Sequence, residues 1–253
     1  MGETVPLHKL LKSERRILLS YPKYDEAVAS CRLRELRGLG VETVEMRGPH
    51  MIGKVHVLGK GHVGVVVAAR VGGRLVALKI RRVDADRESL SAEAEYLKIA
   101  NGVSVGPQLF ASSGNFLVME FIDGEYLVNW VGGLEHSGEG RLRHVIRRLL
   151  DKARRLDGVG LDHGELSRAH RHVILAGDEP RIIDFESAST VRRVANVTSI
   201  AHYIYFNRYM RSMVEGAIPV PEENDLIEAL RRYKGSPIDA NYDDLLRFCG
   251  LLA

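Results

Sequence analysis

Short apolar runs alternate with glycine-containing turns between residues 54 and 80, a pattern typical of antiparallel strands. The runs cover residues 54–58, 65–69 and 76–79, and the Gly72-Gly73 pair before the last run predicts a tight hairpin. A further apolar run, 115–122, breaks at Asp123-Gly124. We therefore predict a small antiparallel sheet that ends near residue 122.

Segments with helical composition or spacing lie on both sides of this sheet. Two helices are predicted at 7–19 and 25–39, because both segments end at turn-forming residues or glycines. Further helices are predicted at 89–100, 141–156 and 197–213, the second of which repeats its apolar residues every 3.6 positions. The order of elements predicts an α+β fold.

Glycines at positions 59, 61 and 64 form a GxGxxG pattern between two predicted strands. A dinucleotide-binding glycine loop opens a helix, so the strand that follows Gly64 argues against that class. Between strands, such a loop is suited to cover phosphate groups, since glycine lets the backbone approach them closely. Lys79, at the end of the following strand, supplies a positive charge beneath it.

With these residues in view, GKGHVGV and VALK resemble the glycine-rich loop and the lysine strand of protein kinases. The resemblance implies ATP as cofactor, an ion pair from Lys79 to Glu93 in preference to Glu95, and Met119 as gatekeeper of an adenine site. The nucleotide-binding residues that it implies are Gly59, Lys60, Gly61, Gly64, Val65, Ala77, Lys79, Glu93, Met119, Glu120 and Ile122, with Glu120 and Ile122 acting through their backbone.

Two later motifs extend the resemblance to residue 200. His163-Gly164-Glu165-Leu166 and Asp184-Phe185-Glu186 resemble the catalytic and metal-binding loops of atypical kinases, in the branch of the RIO kinases and the KEOPS kinase, and are similar to predicted archaeal serine/threonine kinases. The resemblance implies that Glu165 and Lys79 are catalytic and that Asp184 holds Mg²⁺, with Mn²⁺ as an alternative. It also implies two lobes, a small antiparallel-sheet lobe at 51–122 and a mainly helical large lobe at 123–253, preceded by a short helical extension at 1–50.

Two departures from the usual kinase pattern leave alternatives open. Glu165 is one methylene longer than aspartate, which allows a slow kinase or a pseudokinase that only binds nucleotide. The asparagine that usually helps to hold metal is missing, and we favour His172 over His170 as its equivalent. Either the histidine bonds the loop without touching metal, or Glu186 supplies an oxygen ligand beside Asp184. A zinc or manganese site made by His163, His170 and His172 is the minor alternative.

The predicted function is therefore an atypical kinase that transfers the γ-phosphate of ATP to a protein serine or threonine hydroxyl. The alternatives are a nucleotide-dependent switch for a partner complex and a small-molecule kinase. The motifs do not identify the acceptor. The segment between Asp184 and the next predicted helix is short, so regulation by phosphorylation of an activation segment is not expected.

Composition and charge narrow the remaining classes. The 253 residues include only two cysteines and no apolar run long enough for a membrane span, so we expect a cytoplasmic protein without a disulfide framework and without a membrane partner. The net charge is only +3, but the helix at 141–156 concentrates arginines, including Arg141 and Arg155. A solvated surface is the favoured interpretation, and an RNA or acidic partner is the alternative.

Overall fold

The computed structural model describes residues 3–134 and 138–252. The chain forms two compact units, one made of Met1–Lys98 and Pro107–Ile122, the other of Ile99–Gly106 and Asp123–Ala253. The first unit is built on an antiparallel sheet and the second is mainly helical, which confirms the predicted α+β class and is consistent with a two-lobed kinase-like fold. Met1, Gly2 and Ala253, at the ends of the predicted domains, lie outside the described residues.

The main sheet of the first unit has seven antiparallel strands. The strands of this unit are β1 (Glu3–Pro6), β2 (Val41–Met46), β3 (His50–Ile52), β4 (Val55–Val57), β5 (Gly59–Lys60), β6 (Gly64–Val71), β7 (Arg74–Arg81), β8 (Leu109–Ser112) and β9 (Phe116–Glu120). The order of the main sheet is β1-β2-β6-β7-β9-β8, and β5 pairs with β6. Its helices are α1 (Glu26–Gly38) and the first part of α2 (Ser91–Gly102).

The predicted hairpin between β6 and β7 is confirmed. Gly72 and Gly73 both have positive φ, 55° and 72°, as a two-residue turn of this kind requires. The strand predicted at 54–58 is only partly right: β4 pairs with β3 in a separate ribbon. On the main sheet, the short β5 leads into the glycine-rich loop, because Gly59 and Lys60 pair with Val66 and Val65 of β6.

The first fifty residues are less helical than predicted. The helix predicted at 25–39 is confirmed as α1, with Asp25 as its cap. The helix predicted at 7–19 is wrong, since two short 3-10 helices, Leu7–Lys12 and Glu14–Leu19, occupy this segment. Ser13 separates them because it adopts an extended conformation and its hydroxyl bonds to the local backbone. Strands β1 and β2 also add this region to the main sheet.

The second unit contains most of the helices and a small sheet. The strands of this sheet are β10 (Glu125–Tyr126), β11 (Val173–Ala176) and β12 (Glu179–Ile182), in the order β10-β11-β12, and a 3-10 helix covers Leu166–Arg168. Its helices are α3 (Leu127–Gly132), α4 (Glu139–Gly158), α5 (Ala169–His172), α6 (Asn196–Phe206), α7 (Arg208–Glu215), α8 (Glu223–Gly235) and α9 (Asp239–Phe248). Within the described residues, no helix is both long enough and apolar enough to cross a bilayer.

Two helix predictions in this unit have different outcomes. The amphipathic helix at 141–156 is confirmed within α4, whose apolar residues, including Leu142 and Leu156, are buried. The single helix predicted at 197–213 is wrong, because the chain breaks at Asn207 into α6 and α7. The side chain of Asn207 accepts a hydrogen bond from the backbone of Met210 and so caps α7.

Candidate functional site

Lys79 and Glu93 form a buried ion pair in the first unit. Lys79 lies on β7, between Val66 of β6 and Leu117 of β9, and its Nζ donates to Glu93 Oε1 over 2.8 Å. Both side chains are only 5% exposed. Glu95 points elsewhere and pairs with Lys98 near solvent. Of the two glutamates considered from sequence, Glu93 is thus the one that contacts the lysine.

Gly64 has a steric reason to be glycine, which the other two loop glycines lack. A Cβ on Gly64 would lie 3.0 Å from Lys79 Cε and 3.1 Å from the carbonyl oxygen of Ile80. The Gly61 amide donates to the Gly64 carbonyl over 2.8 Å and closes the turn. The loop therefore lies directly against the side chain of Lys79, with Val65 buried beside it.

Three of the residues implied for the adenine site, Ala77, Met119 and Glu120, lie on neighbouring strands of the same sheet. Ala77 on β7 is directly opposite Met119 on β9. The amide of Glu120 donates to the Gln108 carbonyl over 2.8 Å, so this amide is already engaged within the sheet. A backbone contact from Glu120 to a base would use its carbonyl oxygen. Ile122 is the last residue of this unit and is half-buried.

In the second unit, His163 is fully buried and holds the segment before Asp184. Its Nε2 is 3.0 Å from the carbonyl of Ile183, and its ring packs edge-on against Phe185. Burial and, to a smaller extent, the neighbouring His172 lower the pKa of His163 to about 4. The ring is therefore neutral near pH 7 and donates from Nε2 to Ile183.

Glu165 has partners on both of its oxygens. Ser187 Oγ donates to Oε1 over 3.4 Å, while Arg168 Nη1 and His172 Nε2 lie 3.4 and 3.6 Å from Oε2. Gly164, just before it, has a φ of 86°, and a Cβ there would lie 2.7 Å from the Ser187 carbonyl. Glycine is thus required for the chain to turn Glu165 toward these partners.

Asp184 and Glu186 bring two carboxylates together. Each has an oxygen within 4.8 Å of the other. Asp184 has a φ of 67°, which is rare for a residue other than glycine and is a kind of strain often found at functional sites. Burial raises the pKa of Tyr126, and the negative charge of Asp184 raises it further.

His172 Nε2 lies 3.6 Å from Glu165 Oε2, and the role of His172 at the metal stays a prediction. No ligand group that includes His172 converges among the described residues, and His170 stacks on Tyr203. The zinc alternative requires His163, His170 and His172 to converge; the rings of His163 and His172 lie 5.4 Å apart, but among the described residues His170 does not join them in a ligand group. Glu186 is the carboxylate that lies beside Asp184, and this fits the option in which Glu186 supplies an oxygen ligand.

Sequence reasoning missed the residues that support the His163-Gly164-Glu165 loop. The buried side chain of Asp162 accepts from the Ala195 amide over 2.9 Å and pairs with Arg192. Asn196 accepts from the His163 amide over 2.8 Å and donates to the Leu161 carbonyl. Asn196 begins α6, and a polar residue at the start of a helix was the available signal.

Five of the six arginines of α4 pair with carboxylates of the chain itself. Arg141 pairs with Asp178, Arg148 with Glu179, and Arg147 with Asp151 on the same helix. Arg143 and Arg154 pair with Glu139 and Asp239. Since these pairs relieve the repulsion, the helix does not need a polyanion for that purpose, and an RNA or acidic partner stays a prediction.

No family model matches this chain. Over 153 residues it is 28% identical to the Bacillus subtilis protein named "Putative serine/threonine-protein kinase YrzF", and the match covers 59% of this chain and 68% of that protein. This likeness supports, weakly, a kinase-like family and a phosphotransferase function.

Proposed function

We propose that this protein is an atypical ATP-dependent kinase that transfers a phosphoryl group to serine or threonine hydroxyls of proteins. The observation that carries the proposal is the buried Lys79–Glu93 ion pair directly beneath the glycine-rich loop. Burying two charges costs several kcal/mol per ion, roughly, so such a pair is weak evidence of a role in stability. Binding the negative charge of nucleotide phosphates would give Lys79 a function. Such a function explains why the chain keeps a buried ion pair that contributes little to stability.

The residues of the first unit fit the phosphate end of a nucleotide, and the carboxylates of the second unit fit a divalent cation. Because Gly64 has no side chain, the backbone of the loop can approach the side chain of Lys79 closely. A Cβ at this position would crowd the methylene groups of the lysine. Asp184 and Glu186 offer carboxylate oxygens, which Mg²⁺ prefers to imidazole nitrogen. When bound, the ion neutralises charge on the phosphate oxygens. Mn²⁺ fits the same oxygen donors.

In the second unit, Glu165 has the role of orienting the acceptor hydroxyl and accepting its proton late in the transfer. Ser187, Arg168 and His172 hold the two carboxylate oxygens, and this fixes the direction in which Glu165 points. His163 keeps the Ile183 carbonyl, and with it Asp184, in place. The sequences HGEL and DFE support a place for the chain near the RIO and KEOPS kinases.

The test is transfer of labelled phosphate from ATP in the presence of Mg²⁺, to the protein itself and to a generic protein substrate. We expect transfer by the natural protein, none by Asp184→Ala, and close to normal transfer by Asp178→Ala. Asp178 is a matched control because its carboxylate pairs with Arg141 on the surface. Transfer that is equal in Asp184→Ala and the natural protein would overturn the assignment.

A nucleotide-dependent binding module is the second candidate, and one observation favours it. Both oxygens of Glu165 already have partners within the chain, which is compatible with a structural role for this carboxylate. ATP with Mg²⁺ should raise the melting temperature under either proposal, whereas Mg²⁺-dependent release of ADP requires the enzyme. Comparing transfer to protein with transfer to small hydroxyl compounds separates a protein kinase from a small-molecule kinase.

A further inference from the structure

The N-terminal extension reaches the glycine-rich loop through one aromatic side chain, Tyr21. Lys60 of the loop places its Nζ 5.3 Å from the centroid of the Tyr21 ring. The guanidinium of Arg82 lies over the same ring, with its Cζ 5.0 Å from the centroid. Cations at these distances are attracted to the ring face. Tyr21 thus holds two positive charges, one of which belongs to the loop.

Arg82 links the same ring to the backbone of the loop. Its Nη1 donates to the Gly61 carbonyl over 3.0 Å, and its amide donates to the Val63 carbonyl over 2.8 Å. Asp84 holds the rest of the guanidinium through two hydrogen bonds of 2.8 and 2.7 Å. Because Arg82 is fixed by Tyr21 on one side and Asp84 on another, it has little freedom to release Gly61.

The position of Tyr21 is itself well determined. Its side chain packs on the main hydrophobic core, and its carbonyl accepts from the Val83 amide over 3.0 Å. Nearby, the buried Arg32 of α1 donates to the carbonyls of Leu19 and Arg81 over 2.9 and 2.7 Å. Burial and, to a smaller extent, the charge of Arg81 lower the pKa of Arg32 to about 10. The extension is therefore joined to Arg81 of β7 by Arg32, and to Val83, just after β7, by the backbone of Tyr21.

We propose that Tyr21 is a positioning residue for the glycine-rich loop, through which the N-terminal extension orders Lys60 and Gly61 for nucleotide phosphates. The part that concerns nucleotide rests on the proposed kinase function. Without the ring, Lys60 would lose its contact and the Gly61 turn would sample more conformations. More of the binding free energy would then be spent on ordering the loop, and the affinity for nucleotide would fall.

The experiment compares three variants of the full chain. Tyr21→Leu keeps an apolar side chain in the core but removes the ring face, and Tyr21→Phe keeps the face. Tyr24→Leu is the matched control, because Tyr24 lies in the same extension, packs on the same core and holds Arg16 over its ring at 4.3 Å. The described contacts connect Tyr24 to Arg16 and not to the loop.

The first measurement is hydrogen exchange of the amides of residues 59–64 without nucleotide. We expect exchange to be about fivefold faster in Tyr21→Leu, and close to normal in Tyr21→Phe and Tyr24→Leu, since one or two cation–ring contacts are lost. Equal exchange in Tyr21→Leu and the natural protein overturns the positioning role. Equal acceleration in Tyr24→Leu also overturns it, because the effect would then be general loosening of the extension.

The second measurement is affinity for Mg²⁺ and ATP by calorimetry, together with KM and kcat for phosphate transfer. We expect Kd and the KM for ATP to rise about fivefold in Tyr21→Leu, with a smaller change in kcat and recovery in Tyr21→Phe. In a Lys60→Met background the same substitution should have less effect, because the two residues act together. If Tyr21→Leu exchanges faster but binds ATP with normal affinity, the proposed effect of Tyr21 on nucleotide binding is overturned. If the natural protein binds no ATP, the proposed function is overturned, and the result on hydrogen exchange of the loop still holds.

Discussion

The Lys79–Glu93 pair and the arginine pairs of α4 use the same chemistry in opposite surroundings. Lys79 and Glu93 are each 5% exposed, whereas Arg148 and Glu179 are 43% and 35% exposed. Water and salt screen the surface pairs, so each contributes little to stability and their number identifies no site. The buried pair is costly to maintain, and its place beneath a glycine-rich loop is what gives it functional meaning. The two regions differ in how deeply their ion pairs are buried, and this difference, more than the number of charges, indicates which pair belongs to a functional site.

The strongest test removes one member of the buried pair. Lys79→Met should lower phosphate transfer by about 100- to 1000-fold, because a charged group that meets the phosphates is lost. It should also lower the free energy of unfolding by about 3–5 kcal/mol, because Glu93 is left buried without its ion-pair partner. Urea unfolding and labelled-ATP assays measure the two effects.

The double variant Lys79→Met with Glu93→Leu is the control. It should recover most of the stability and none of the transfer, since an apolar pair replaces two buried charges. Recovery of transfer in the double variant would contradict the role given to Lys79.

A second test uses His163, which is buried in the other unit. Its folded pKa of about 4 lies below the unfolded value of 6.5, so the unfolded chain binds the proton more readily. The stability contributed by the neutral ring is complete above pH 6.5 and is lost as the pH falls from 6.5 toward 4. Integrated over that window, the loss is about 3 kcal/mol.

Urea unfolding at pH 7 and pH 4.5 measures this loss. In His163→Gln the difference between the two pH values should shrink, because glutamine does not titrate. The exposed His144 of α4 offers the comparison, and His144→Gln should leave the difference unchanged. An equal change in both variants would show that burial of His163 is not the cause.

Glu165 lies between the two extremes, with a side chain that is 22% exposed. Shortening it with Glu165→Asp draws the carboxylate away from Ser187, Arg168 and His172. Transfer should fall by about 10- to 100-fold with nearly unchanged affinity for ATP, because only positioning in the transition state is lost. Kinetics with calorimetry separate the two quantities. A clear gain in turnover for Glu165→Asp would indicate that the natural chain, with glutamate, is a decayed kinase, and it would favour the nucleotide-dependent binding module.

The smallest effect is expected on the surface. Arg148→Ala removes the pair with Glu179 and should lower the free energy of unfolding by less than about 1 kcal/mol. The loss should largely disappear in 1 M salt, since screening already weakens the pair. Arg155→Ala, at an exposed position of the same helix, gives the baseline. A loss for Arg148→Ala as large as that for Lys79→Met would remove the contrast between the two regions.

Local features of the chain were predictable because neighbouring residues encode them. The Gly72-Gly73 pair indicated the hairpin, since both positions require positive φ. The period of apolar residues indicated α4, and the strand after Gly64 excluded a dinucleotide-binding loop. These properties depend on backbone conformation and on the spacing of side chains within a single element.

Contacts between distant residues were decided only by the tertiary structure. Glu93 and Glu95 share a helix, but only packing determines which of them reaches Lys79. The resemblance implied a place near the metal for His172, and only the fold shows that its Nε2 lies near Glu165. No local pattern predicts that Tyr21 holds Lys60 and Arg82, because the three residues meet only when the extension packs on β7. Sequence periodicity determines which elements form, whereas the close packing of those elements determines which side chains touch.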